Sequence, residues 1–122
     1  MTVKIHSSSK IQGKTIILTE PPVSYNQIYA VFFPENRYAG GIGGQNWRVL
    51  DLSGTINNKP SYGYGDETIS WNSTLSRWEM NNAYQGTISY SPQNTQYPYQ
   101  VTHWYYGENI LDSQVSVTPY NN

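Results

Sequence analysis

Apolar positions along this chain either alternate with polar ones or gather into short blocks, and turn-forming residues separate the runs. Such a pattern predicts strands. "KTIILT" (Lys14 to Thr19) is a β-branched apolar run stopped by Glu20 and the Pro21–Pro22 pair. "QIYAVFF" (Gln27 to Phe33) is apolar almost throughout and predicts a central strand buried on both faces, closed by Pro34 and Asn36. In "NWRVLDLSG", Trp47, Val49 and Asp51 share one face, while Arg48, Leu50 and Leu52 share the other. "LSGTINNKPSY" predicts a hairpin turning at Asn57–Asn58, because asparagine tolerates the positive φ that tight turns need.

"ETISW", a turn over Asn72 to Ser76, and "RWEM" then predict an antiparallel pair with Trp71 and Trp78 as cross-strand neighbours. Each indole can bury about 150–250 Å², so both are expected in the core. Further runs are "YQGTISY" (Tyr84 to Tyr90), "YQVTHWYY" (Tyr99 to Tyr106) and "SQVSVTP" (Ser113 to Pro119). No run combines a helix cap with an amphipathic stripe. About eight or nine short strands, with turn signals about every 8–12 residues, predict an all-β fold: an antiparallel β-sandwich or small barrel. At 122 residues, with no linker or repeat, the chain is expected to be one domain over residues 1–122.

Composition changes the picture mainly by what it excludes. The absence of cysteine rules out disulfides, thiolate metal sites and thiol nucleophiles. Only 12% of residues are charged, and the net charge is -1. That balance supplies no field to draw in nucleic acid or an acidic membrane. In place of charge stand Asn, Ser, Thr, Gln and twelve tyrosines. These residues suit binding loops, and Tyr and Thr equally suit pleated surfaces. No stretch approaches the ~18 apolar residues of a membrane span. The start, "MTVKIHSSSK", lacks an apolar core, so no export signal is expected.

A search for chemistry returns little. "AGGIGGQNW" (Ala39 to Trp47) has Asn46 where a dinucleotide loop needs its third glycine, and a strand follows in place of a helix. A structural or contact loop is expected there. His6 and His103 stand alone, without carboxylates or a second histidine at ligand spacing, so no metal site is expected. A triad drawn through His103 and Asp112 lacks any serine elbow. Asp66 and Glu67 are adjacent, so on a strand they point to opposite faces, unlike a glycosidase pair. Asn72-Ser73-Thr74 fits the N-glycosylation pattern and fits a turn better. The expectation is a protein without catalytic residues or cofactors.

The remaining candidate is aromatic. "QYPYQVTHWYYGEN" (Gln96 to Asn109) holds four tyrosines and Trp104. On a strand starting at Tyr99, the set Tyr99, Val101, His103 and Tyr105 lies on one face, opposite Thr102, Trp104 and Tyr106. With Trp104 taken as core, the expected binding surface is Tyr97, Tyr99, His103, Tyr105 and Asn109. Flat rings rimmed by amides suit sugar rings, and they suit protein contacts as well. Stacked bases would need phosphate attraction that seven scattered basic residues do not supply.

Taken together, Trp47, "LSGTINNKPSYG", "ISW", "RWEM" and "AYQGTISYSPQNTQYPYQVTHWYYG" resemble a short all-β module of phage virion and fibre proteins and of bacterial surface proteins, over roughly residues 45–107. The matching positions are Asn57, Lys59, Pro60, Tyr62, Trp71, Trp78, Tyr84, Pro98 and Trp104. Asn58 stands where glycine is usual, which a positive-φ turn still accepts. The resemblance brings no catalytic residues. It implies a non-enzymatic virion structural or decoration protein, capsid- or tail-associated, assembled in the host cytoplasm. Its partners would be other virion subunits or further copies of itself. Two other expectations stand beside it. One is a small lectin-like carbohydrate-binding module that meets a cell-surface glycan, at the cell surface or outside the cell. The other is a glycan hydrolase built on scattered carboxylates such as Asp66 and Glu79. None of the three takes nucleic acid or a membrane as partner.

Overall fold

The computed structural model describes the backbone of residues 8–11 and 14–17, and residues 25–32 and 46–121 in full. The expected glycine loop at Gly40 to Gly44 lies outside the described residues. A first hairpin joins β1 (Ser8–Ile11) to β2 (Lys14–Ile17) as a separate two-stranded sheet. All other strands belong to one antiparallel sheet. They are β3 (Gln27–Val31), β4 (Trp47–Ile56), β5 (Lys59–Tyr64), β6 (Glu67–Asn72), β7 (Arg77–Asn82), β8 (Gly86–Ser91), β9 (Tyr105–Tyr106), β10 (Ile110–Leu111) and β11 (Ser116–Asn121). Their order is β10-β9-β8-β7-β6-β5-β4-β3-β11, a meander whose last strand returns to the far edge.

That order dictates curvature. Laid flat at about 4.8 Å per strand, nine strands spread over roughly 38 Å. Strands β10 and β11 lie at opposite edges, yet only residues 112–115 connect them. A link of that length spans under ~20 Å even when extended. Here it is a turn, with the Val115 N–H donating to the Asp112 carbonyl at 3.3 Å. The sheet therefore curls into a half-barrel. The all-β antiparallel class is as expected, and the strands form one curled sheet.

Curling gives the sheet an inner face, which strand alternation fills with Ile28, Ala30, Leu50, Tyr62, Ile69, Trp71, Trp78 and Met80. The connection between β8 and β9 supplies the rest of the core through Pro98, Val101 and Trp104. Val115 and Val117 close the core from the β11 side, where the short 3-10 turn Pro98–Gln100 packs.

Two expectations are corrected. β3 is central, between β4 and β11, but it is not buried on both faces. Ile28, Ala30 and Phe32 are buried, whereas Gln27, Tyr29 and Val31 are only half-buried. A single curled sheet encloses one face, so apolar residues on the other stay partly wet. Nor is Tyr99 to Tyr106 a strand: only Tyr105–Tyr106 pairs. Pro98 opens a 3-10 turn in which the Gln100 N–H donates to the Tyr97 carbonyl at 3.1 Å. The Gln100 side chain reaches back to accept the Tyr97 N–H at 3.0 Å. With strand alternation lost, Val101 and Trp104 both enter the core instead of lying on opposite faces.

The hairpins follow the pattern read from the sequence. Asn57 and Asn58 both adopt left-handed φ, 54° and 67°, as a type I′ turn demands. Trp71 pairs directly with Trp78, rings edge to face at 5.8 Å and 74°. The Asn57 side-chain amide ties the neighbouring turn to them by donating to the Trp71 carbonyl at 2.8 Å.

Candidate binding surfaces

The five residues expected to form one surface occupy three settings. Tyr97 and Tyr99 flank Pro98 and stack at 5.2 Å, only 10° from parallel. Tyr25 meets Tyr99 edge-on at 5.2 Å. Burial pushes the Tyr99 hydroxyl above the ordinary tyrosine range, helped by the neighbouring hydroxyls of Tyr62 and Tyr97. This trio is half-buried, so it is as much packing as surface.

His103 is exposed and held by Gln93, whose side-chain carbonyl accepts the N–H groups of Thr102 and His103 at 2.8 and 2.9 Å. Its Nδ1 lies 2.9 Å from the Thr102 hydroxyl.

Tyr105 and Asn109 do come together, through Tyr90. The Tyr105 and Tyr90 rings stack at 6.2 Å, and the Arg77 guanidinium sits 4.4 Å above the Tyr90 ring. The Tyr90 hydroxyl accepts the Asn109 N–H at 2.7 Å and lies within donating distance of the Gly107 carbonyl and the Asn109 side chain. The positive φ of Asn109, 61°, lets the turn bend back over this ring. So Tyr99, His103 and Tyr105 do not share a strand face, because the turn at Pro98 breaks the alternation that would have aligned them.

The carboxylates are already engaged. Glu79, 8% exposed, accepts from Arg77 Nε at 2.8 Å and from the amides of Asn72 and Asn81 at 3.2 and 3.4 Å. Glu67, on the opposite face of the sheet, accepts from the Asn82 amide at 2.8 Å and pairs with Arg48 Nε at 3.3 Å. Burial of each is matched by opposite charge and hydrogen bonds. Facing away from each other, the two do not form a pair around a common substrate. Asn72 also accepts the Leu75 N–H at 3.0 Å, the turn role preferred over glycosylation.

A surface outside the aromatic stretch is better formed. On the outer face of β3 and β4, the register sets Gln27 opposite Asp51 and Tyr29 opposite Val49. Tyr29 stacks on Trp47, 5.5 Å away and 19° from parallel, and Trp47 remains 37% exposed. The Gln27 amide donates to Asp51 Oδ1 at 2.8 Å. On the next strand, glycine at position 63 faces Asp51. A shallow cleft of about 280 Å³ is lined by the outer-face residues Gln27, Trp47, Val49 and Asp51 together with Arg48 and Tyr64, which the strand register assigns to the inner side. Strand alternation alone put Trp47, Val49 and Asp51 on one face. Only the pairing of β3 with β4 brings Gln27 and Tyr29 to them.

No protein family, curated protein or solved structure matches this chain.

Proposed function

We propose that this chain is a non-enzymatic structural subunit of a virion, of the decoration type, which holds neighbouring subunits or further copies of itself through protein–protein contacts. The observation that carries this reading is the state of the sheet's two edges. Among the described residues, β10 and β11 each pair on one side only. β10 presents Ile110 and Leu111 at 49% and 53% exposure, and β11 presents Tyr120 at 59%. Unpaired strand edges offer N–H and C=O groups to another chain, and proteins that stay apart guard them with charge, proline, a bulge or extreme shortness. β11 is guarded in that way, by Pro119 and the bulge between Pro119 and Asn121. Here no Lys, Arg, Asp or Glu lies within β10 or β11. At β10 the exposed Ile110 and Leu111 stand instead, so strand addition by a partner at that edge would cover both its backbone groups and its apolar side chains.

The resemblance to virion and fibre modules supports the same reading. Trp71, Trp78 and Trp104, among the residues that carry it, are framework, which leaves edges and turns free to differ with the partner. Sedimentation velocity over a concentration series tests the contact, with Ile110→Lys and Leu111→Lys combined as the edge-blocked variant. Self-association that the variant abolishes is the expected result, or else retention of the wild-type chain in purified particles. A strictly monomeric chain that is missing from particles, and encoded away from capsid or tail genes, overturns the proposal.

A further inference from the structure

We propose that the outer-face cleft beside Trp47 is a carbohydrate site that takes one neutral pyranose ring. The inference is independent of the virion reading, because the cleft is lined from β3, β4 and β5 and not from the open edges at β10 and β11.

Four observations combine. First, among the described residues the Trp47 indole has one neighbour in parallel stacking, Tyr29, and it still keeps more than a third of its surface exposed. Burying an aromatic ring is strongly favourable, so an open indole on a sheet face is surface left for something flat. The C–H face of a pyranose is flat and apolar. Second, polar side chains share the lining with the indole. Asp51 gives only Oδ1 to the Gln27 amide, and its other oxygen and the Gln27 carbonyl remain as acceptors. Paired acceptors set by a hydrogen bond between them suit vicinal hydroxyls, which donate side by side.

Third, the size is right. At about 280 Å³ the cleft lies just below the roughly 300–1,000 Å³ of drug-sized sites, enough for one sugar ring and not for an enclosed chain. Fourth, the charge selects. The Asp51 carboxylate stands in the cleft, and the one guanidinium lining it among the described residues, Arg48, is drawn to Glu67 at 3.3 Å and over the Tyr64 ring at 5.3 Å. Phosphate or uronate groups would meet an acid there, so nucleotides and acidic sugars are disfavoured. One stacking face and a shallow floor limit the affinity to about the millimolar range.

Saturation-transfer NMR with lactose, maltose, cellobiose and chitobiose tests the site on the folded chain. At least one of the four is expected to give a saturable signal. Trp47→Ala should weaken that binding at least about tenfold, the scale of 1–2 kcal/mol for losing an aromatic anchor. Asp51→Asn should weaken it several-fold, and Tyr84→Ala, on an exposed turn and outside the cleft lining, should leave it unchanged. Melting curves confirm that each variant is folded, and Trp47→Leu, which keeps apolar bulk without a ring and should weaken binding likewise, serves if Trp47→Ala is not. Absence of a saturable signal from all four sugars at about 10 mM, above the expected dissociation constant, overturns the proposal. So does binding that survives in a folded Trp47 variant lacking the ring, or binding that Tyr84→Ala removes.

Discussion

Trp71 and Trp78 meet directly across β6 and β7 at 5.8 Å, and Tyr29 meets Trp47 diagonally across β3 and β4 at 5.5 Å. Both are aromatic pairs on adjacent antiparallel strands of the same sheet. The first is buried, at 8% and 0% exposure, while the second keeps Trp47 at 37%. Residue type does not separate them. What separates them is the layer above. Over the inner face runs the β8–β9 connection, where Thr95 takes the Trp78 indole N–H on its hydroxyl at 2.9 Å. The Thr95 carbonyl accepts the Lys59 ammonium at 2.6 Å, and that ammonium sits 4.9 Å from the Trp71 ring centre and 6.0 Å from that of Trp78. The inner pair is thus anchored by packing, a hydrogen bond and a cation. Among the described residues, the outer pair has only its own stacking and the neighbouring Gln27–Asp51 bond.

The contrast is best attacked first at Trp78. Trp78→Ala is expected to cost about 3–5 kcal/mol, the usual range for emptying a large buried aromatic site. Denaturant titration measures it, and a variant melting within a degree or two of wild type would erase the distinction between the pairs. Lys59→Ala comes next, with an expected loss of about 1–3 kcal/mol from the cation–π contact and the bond to Thr95. Lys59→Met, which keeps the apolar stem, should recover part of it. Full recovery would mean that the charge contributes nothing.

Between the extremes lies the half-buried pair of Tyr97 and Tyr99. An unfolded tyrosine loses its proton near pH 10. Since folding raises the Tyr99 value, below about pH 10 both states hold the proton and its contribution is intact. Above that pH the unfolded chain ionises first, so stability falls as the pH rises toward the folded value. Tyr99→Phe should flatten that alkaline decline in melting temperature, and an unchanged slope would assign the decline to other groups. The smallest effect is expected at Trp47→Ala: under about 1 kcal/mol, as for changes on an exposed face. A loss as large as that at Trp78 would show the outer pair to be core.

Features set by neighbours in sequence were legible in it. The positive-φ turn at Asn57–Asn58, the apposition of Trp71 and Trp78, and the parity of Trp47, Val49 and Asp51 each depend on a few adjacent residues. Features set by distant partners were not. Tyr99 to Tyr106 reads as an alternating strand, but Pro98 and Gln100 turn the chain before it can extend. The cleft at Trp47 needs Gln27, whose register with β4 is fixed across a connection that carries no periodic signal. Lys59 reads as an ordinary hairpin lysine, and nothing local announces that Thr95 and two indoles will surround its ammonium.

The return of β11 to the far edge also sets an order of events during synthesis. Strands β4 through β8 can each pair with the strand made just before them, as soon as both have emerged. β3 cannot complete its pairing that way, because its second neighbour places Ser116 against Val31 from the opposite end of the sheet. Contacts so remote in sequence carry the largest loop-closure entropy and form slowly. Until they form, the nascent chain carries β3 with one edge bare and Ile28 and Ala30 incompletely covered. That interval, more than any property of the finished molecule, is when the chain is most exposed to pairing with the wrong strand.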